Sequence, residues 1–71
     1  RWESLSPRER DVTALVCLGY TNREIAARLN IAPDTVKDRI SSVFRKFNIN
    51  KRNDLRALFS HWDFNEWERQ R

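Results

Sequence analysis

Two helix-start signals, separated by one glycine stop, constrain this chain more than any other feature. Ser6-Pro7-Arg8-Glu9 and Thr21-Asn22-Arg23-Glu24 each set a hydroxyl at an N-cap and a glutamate three residues on. That is the reciprocal pattern of a capping box. Pro7 suits a first helical position, and Leu5 before the cap can staple onto the first turn. Val12, Leu15 and Val16 follow as a core stripe, and Gly19 supplies the left-handed stop. With one Gly and two Pro in 71 residues, the chain lacks the turn residues that an all-β design needs.

The same logic carries down the chain. The second helix turns Ile25, Ala26 and Leu29 inward, Asn30 and Ile31 break it, and Pro33 with Asp34 opens a third. Val36, Ile40, Val43, Phe44 and Phe47 form the most regular stripe in the sequence. Asn48 ends that helix, which requires it to accept a left-handed backbone, and Ile49 tucks under as an anchor. Asn50 or Asn53 is expected to cap a fourth helix over about 51–62, with Leu55, Leu58, Phe59 and Trp62 inward. Residues 63–71 are expected to form a frayed extension. The expected fold is all-α, a four-helix bundle in one domain spanning 1–71.

Several function classes drop out. One cysteine, Cys17, and one histidine, His61, stand far apart and make neither a metal set nor an activated nucleophile. Cys17 points off the core stripe, which leaves a redox switch open. The carboxylates sit beside arginines in capping or surface patterns, so no acid–base pair is in view, and neither an enzyme nor a cofactor is expected. No apolar run approaches a membrane span, and a lone thiol fits a reducing, cytoplasmic compartment. A chain without methionine is expected to be a fragment of something longer.

The net charge of +4 is unevenly placed. Residues 35–56 hold Lys37, Arg39, Arg45, Lys46, Lys51, Arg52 and Arg56 against Asp38 and Asp54, while the flanking segments nearly balance. A basic stretch on a folded element suits a polyanion, and nucleic acid is the commonest. Residues 21–47 read short helix, tight turn, longer helix, the layout of a helix-turn-helix. Opposite the third helix's apolar stripe lie Asp34, Asp38, Ser41, Ser42 and Arg45, with Lys37 and Arg39 on the flanks. That face carries donors and acceptors for base edges and phosphates.

Leu5-Ser6-Pro7-Arg8-Glu9-Arg10, Gly19 to Ala26, Leu29 to Ala32 and Thr35-Val36-Lys37 together resemble the LuxR-type DNA-binding domain of bacterial transcription regulators. The run Phe44 to Asp54 is similar to that family's link into its fourth helix. The resemblance covers residues 5–60. It implies a recognition helix near 33–47, a fourth helix serving dimerisation, and an N-terminal regulatory domain, a receiver or a sensor, in the full-length chain. Ala32 stands where the family has a capping Ser or Thr, Asp38 where it is neutral or basic, and Phe47-Asn48 where Leu-Gly is common. Phe64 and Trp67 lie beyond the matched region.

The expected function is sequence-specific binding of double-stranded DNA. Lys37, Asp38 and Ser41 are the candidates for base contact, with Asp38 alternatively pairing with Arg45 or Lys37. Thr21, Asn22, Thr35, Arg45, Lys51 and Arg52 are the candidates for phosphate, and Arg39 and Lys46 are weaker ones. Arg8 and Arg10 are expected to be solvated with local acidic partners, and Tyr20 to be core or rim. Ala57, Ser60, His61 and Phe64 recur at helical spacing on the outer side of the fourth helix and are expected to form a weak homodimer seam. Two alternatives stand beside this reading: promoter recognition of the sigma-factor type, and a protein-interaction module that leaves DNA alone.

Overall fold

The computed structural model describes residues 2–69, without the side chains of residues 66–68. Both capping boxes form. Ser6 Oγ accepts from the Glu9 amide at 3.2 Å, and Glu9 Oε1 accepts from the Ser6 amide at 2.9 Å. Thr21 and Glu24 repeat the exchange at 3.2 and 2.9 Å. These caps open α1 (Pro7–Cys17) and α2 (Asn22–Leu29). α3 (Pro33–Phe47) starts at Ala32 with no side-chain cap, followed by α4 (Arg52–Leu58) and α5 (Phe64–Arg69). Among the described residues the regular structure is all helical, including a 3-10 turn at Trp2–Ser4.

α1, α2 and α3 stop in the same way. Gly19, Asn30 and Asn48 take φ of 97°, 58° and 58°. The next amide in each case reaches back five residues: Tyr20 to the Leu15 carbonyl, Ile31 to Ala26 and Ile49 to Phe44, at 3.1, 3.0 and 2.9 Å. These are Schellman closures, and the donating residue is apolar or aromatic and packed on the core each time. Each turn therefore ends a helix and anchors the next connection in one step.

α1 packs against α2, α3, α4 and α5, and α2 packs in addition on α3. The sequence stripe placed Val12, Leu15 and Val16 inside, but burial runs unbroken from Asp11 to Val16. A helix with neighbours on every side loses its solvent face whatever its pattern. One consequence is that the Thr13 hydroxyl is fully buried with no hydrogen-bond partner among the described residues.

The largest departure lies at the fourth helix. α4 is uncapped by any side chain, since Lys51 and not Asn50 or Asn53 holds the N-cap position. It also ends at Leu58, and the chain turns through the amides of Ser60 and Trp62 onto the carbonyls of Ala57 and Phe59. Helical periodicity therefore fails beyond that point. Leu58 and Trp62, expected inside, are 52% and 48% exposed. Phe64, expected on the outer face, is 5% exposed, because α5 folds it back onto α1. The expected extension is thus partly a packed helix; residues 70 and 71 and the side chain of Trp67 lie outside the described residues. Trp2, Phe59, Trp62 and Phe64 lie ring against ring, with centroids 5.0–5.9 Å apart. Five of the six pairs are edge-on or tilted, which suits the ring quadrupoles, and Trp62 stacks on Phe64 with 27° between the planes.

Candidate nucleic-acid interface

α3 owes its orientation to its stripe. Val36, Ile40 and Val43 are buried, and Phe44 and Phe47 pack against the same core. Seating that stripe turns Asp34, Lys37, Asp38, Ser41 and Arg45 outward, all of them exposed. Thr35 is half-buried at the flank. Among the described residues Asp38 pairs with neither Lys37 nor Arg45, so the pairing alternative is not the arrangement seen. No large apolar side chain interrupts this face.

One expected member of the outer face, Ser42, and one weaker phosphate candidate, Lys46, turn to α1 instead. Ser42 is half-buried and donates to Glu9 Oε2 at 2.6 Å. Lys46 Nζ donates to Glu9 Oε1 at 2.8 Å and to the Ser4 carbonyl at 3.2 Å. Lys46 falls on the flank of the stripe at about 100° per residue, whereas the helical wheel places Ser42 as far from the stripe as Ser41, and it is the packing of α1 on that side of α3 that takes it in. Burial pushes the Glu9 carboxyl up, but hydrogen bonds from Lys46, Ser42 and the Ser6 amide outweigh it. Its pKa falls from 4.5 to about 2. The capping motif made Glu9 visible in the sequence; nothing local signals its contacts with residues more than thirty positions away.

The start of α2 and the start of α4 meet. Arg52 Nη1 donates to Asn22 Oδ1 at 2.7 Å, and Nη2 donates to the Tyr20 carbonyl at 2.6 Å. Both residues were expected to face phosphate separately; they are joined, with exposed Thr21 and Lys51 beside them. The Thr21 hydroxyl accepts from the Glu24 amide, which leaves its own proton as a donor. Tyr20 is a half-buried rim residue with the Arg28 guanidinium 4.3 Å from its ring centroid. Arg8 pairs with Asp11 at 3.5 Å, and Arg10 donates to the carbonyls of Trp2 and Glu3 at 3.1 and 3.2 Å. A backbone hydrogen bond lowers the pKa of the Glu3 carboxyl, and Arg10 is close enough to help lower it.

On α4, Ala57 is exposed, and Ser60 and His61 are exposed just past its end. Phe64 is not with them, being core. Cys17 is half-buried, and burial pushes its thiol from 9.0 up to about 11, against a smaller downward pull from Arg56. A thiol held protonated near neutral pH is a poor nucleophile, which argues against a redox switch at this position.

A short helix, the turn Asn30–Ala32 and a longer helix with one buried and one polar exposed face define a helix-turn-helix DNA-binding domain. Residues 3–59 match the model of the bacterial regulatory proteins of the luxR family, and the chain belongs to that family. Membership sets aside the sigma-type alternative and makes this a DNA-binding domain of transcription regulation. The transcriptional activator RamA of Corynebacterium glutamicum is 48% identical over 68% of this chain and 17% of its own length. The nitrate/nitrite response regulator NarL of Escherichia coli is 40% identical over 68% of the chain and 22% of its own. A nitrate/nitrite response regulator homologue of Haemophilus influenzae is 39% identical over 80% and 27%. The chain thus spans between about a sixth and about a quarter of these relatives, and 6% of a Mycobacterium bovis relative that is 43% identical. Among the described residues no helix is long and apolar enough to cross a membrane.

Proposed function

We propose that this domain reads duplex DNA with α3 in the major groove, Lys37, Asp38 and Ser41 facing base edges. Thr35 and Arg45 flank them toward phosphate. Thr21, Asn22, Lys51 and Arg52 form a second phosphate-facing group where α2 and α4 begin. The observation that carries this reading is the division of α3: apolar side chains buried on one face, charged and hydroxyl side chains exposed on the other. Those exposed side chains can donate to and accept from base edges and phosphates. The outer side of α4 and the turn after it, with Ala57, Ser60 and His61 beside exposed Leu58, supports weak homodimerisation. Two-fold pairing would space two α3 helices for half-sites about one helical turn apart. In the full-length protein, a cytoplasmic regulator without enzymatic activity of this domain's own, an N-terminal regulatory domain would control that pairing.

The test is a binding titration on the duplex that the chain enriches from a randomised pool. Lys37→Ala is expected to weaken that duplex by about 1–3 kcal/mol while a scrambled duplex loses little. Affinity for either duplex should fall steeply with salt. A Lys37→Ala chain that binds the selected duplex as tightly as the parent rules out this placement of α3.

A further inference from the structure

One carboxylate ties α3 to α1. Glu9 Oε1 accepts from the Ser6 amide at 2.9 Å and from Lys46 Nζ at 2.8 Å, while Oε2 accepts from Ser42 Oγ at 2.6 Å. Glu9 is 6% exposed and fixed at its root by the capping box of α1. Ser42 and Lys46 stand one turn apart on α3, so the two bonds hold that helix against both rotation and axial slip. The apolar contacts of Val36, Ile40 and Val43 do not do this alone, since hydrophobic contact is non-directional and does not by itself fix the rotation of a helix about its own axis. A side-chain tip about 6 Å from the helix axis moves about 2 Å under a 20° rotation, enough to break a hydrogen bond to a base edge.

We propose that Glu9 is a positioning residue for base reading: through Ser42 and Lys46 it sets the rotation at which α3 presents Lys37, Asp38 and Ser41 to the groove. Ser41 and Ser42 are neighbours, about 100° apart on the helix, so locking Ser42 toward α1 directs Ser41 outward. A buried ionic group held by good hydrogen bonds is well suited to selecting one register among near-equivalent packings. The proposal rests on α3 being the groove element.

The experiment measures, for each variant, the ratio of affinity for the duplex the parent selects from a randomised pool to affinity for a scrambled duplex of equal length. Glu9→Ala is expected to lower that ratio about tenfold, the loss of one good base contact, with scrambled-duplex affinity held within about twofold. Glu9→Gln, which keeps an acceptor for the Ser6 amide and a partner for Ser42, should fall between it and the parent. Both changes remove a negative charge, so weaker specific binding would not follow from electrostatics. A folded Glu9→Ala chain that retains the parental ratio overturns the proposal. If Glu9→Ala fails to fold, Ser42→Ala decides, because it leaves the capping box intact: a lowered ratio supports the tie, and an unchanged ratio overturns it. Lys37→Ala measured on the same duplexes separates the two readings. Loss there with none at Ser42 or Glu9 removes only the positioning role, and no loss at Lys37 removes the groove placement itself.

Discussion

Arg52 Nη1 donates to the Asn22 side-chain oxygen across 2.7 Å, joining the first residue of α4 to the first residue of α2. The second nitrogen holds the Tyr20 carbonyl at 2.6 Å, so one guanidinium closes the turn between α1 and α2 as well. This pair fixes the spacing of the proposed phosphate-facing group. Arg52→Ala is expected to destabilise the fold by about 1.5–3 kcal/mol in urea denaturation, the range for bonds to a charged donor. It should also lower affinity for any duplex and reduce the salt slope by about 1. Arg52→Lys should recover less than half of the stability, because one ammonium cannot reproduce the planar fork. Full recovery with lysine would show that charge alone is at work.

The unpartnered hydroxyl of Thr13 points to a stabilising change. Thr13 is 0% exposed in the helix that touches all the others, and valine has its shape without the polar atom. Thr13→Val is expected to raise stability by about 1 kcal/mol, the low end of the cost of a buried unsatisfied group. Thermal melting at constant pH reads the change, and a lower melting temperature would contradict it. DNA affinity should not move.

Acid should expose the Glu9 tie. Its carboxyl titrates at about 2 in the fold and near 4.5 when unfolded, so the folded state favours the ionised form. The resulting stabilisation is complete above about pH 4.5 and is lost as pH falls toward about 2. Glu9→Gln lacks that contribution at every pH. The stability gap between parent and variant, measured by denaturant titration, should therefore shrink across that window. A gap that stays constant from pH 6 to pH 2 would mean the carboxylate is not held as described.

The outer side of α4 can be tested without touching α3. Ala57 is exposed, and Ala57→Glu sets a charge in the middle of the proposed seam. Affinity for a single half-site should stay nearly unchanged, while the cooperative gain on a two-half-site duplex disappears. Equal loss on both duplexes, or on neither, would exclude α4 from dimer contact.

Local chemistry made the first three helices legible in the sequence. Ser6 with Glu9 and Thr21 with Glu24 start their helices through bonds that span three residues. Gly19, Asn30 and Asn48 end theirs through bonds that span five. Such contacts form within one turn of chain, so residue type and spacing are sufficient to forecast them. Most of the outward face of α3 was also legible, because a strong stripe such as Val36, Ile40 and Val43 leaves its opposite side to solvent, Ser42 being the member of that side that packing took in. Periodicity misled once the helix it assumed had ended, which is why Leu58, Trp62 and Phe64 exchanged sides. Only the tertiary structure decided that α1 would be enclosed, that Arg52 would meet Asn22, and that Ser42 and Lys46 would turn to Glu9. Those contacts join residues thirty or more positions apart, and they depend on how the helices pack together, a choice that no single stretch of sequence contains.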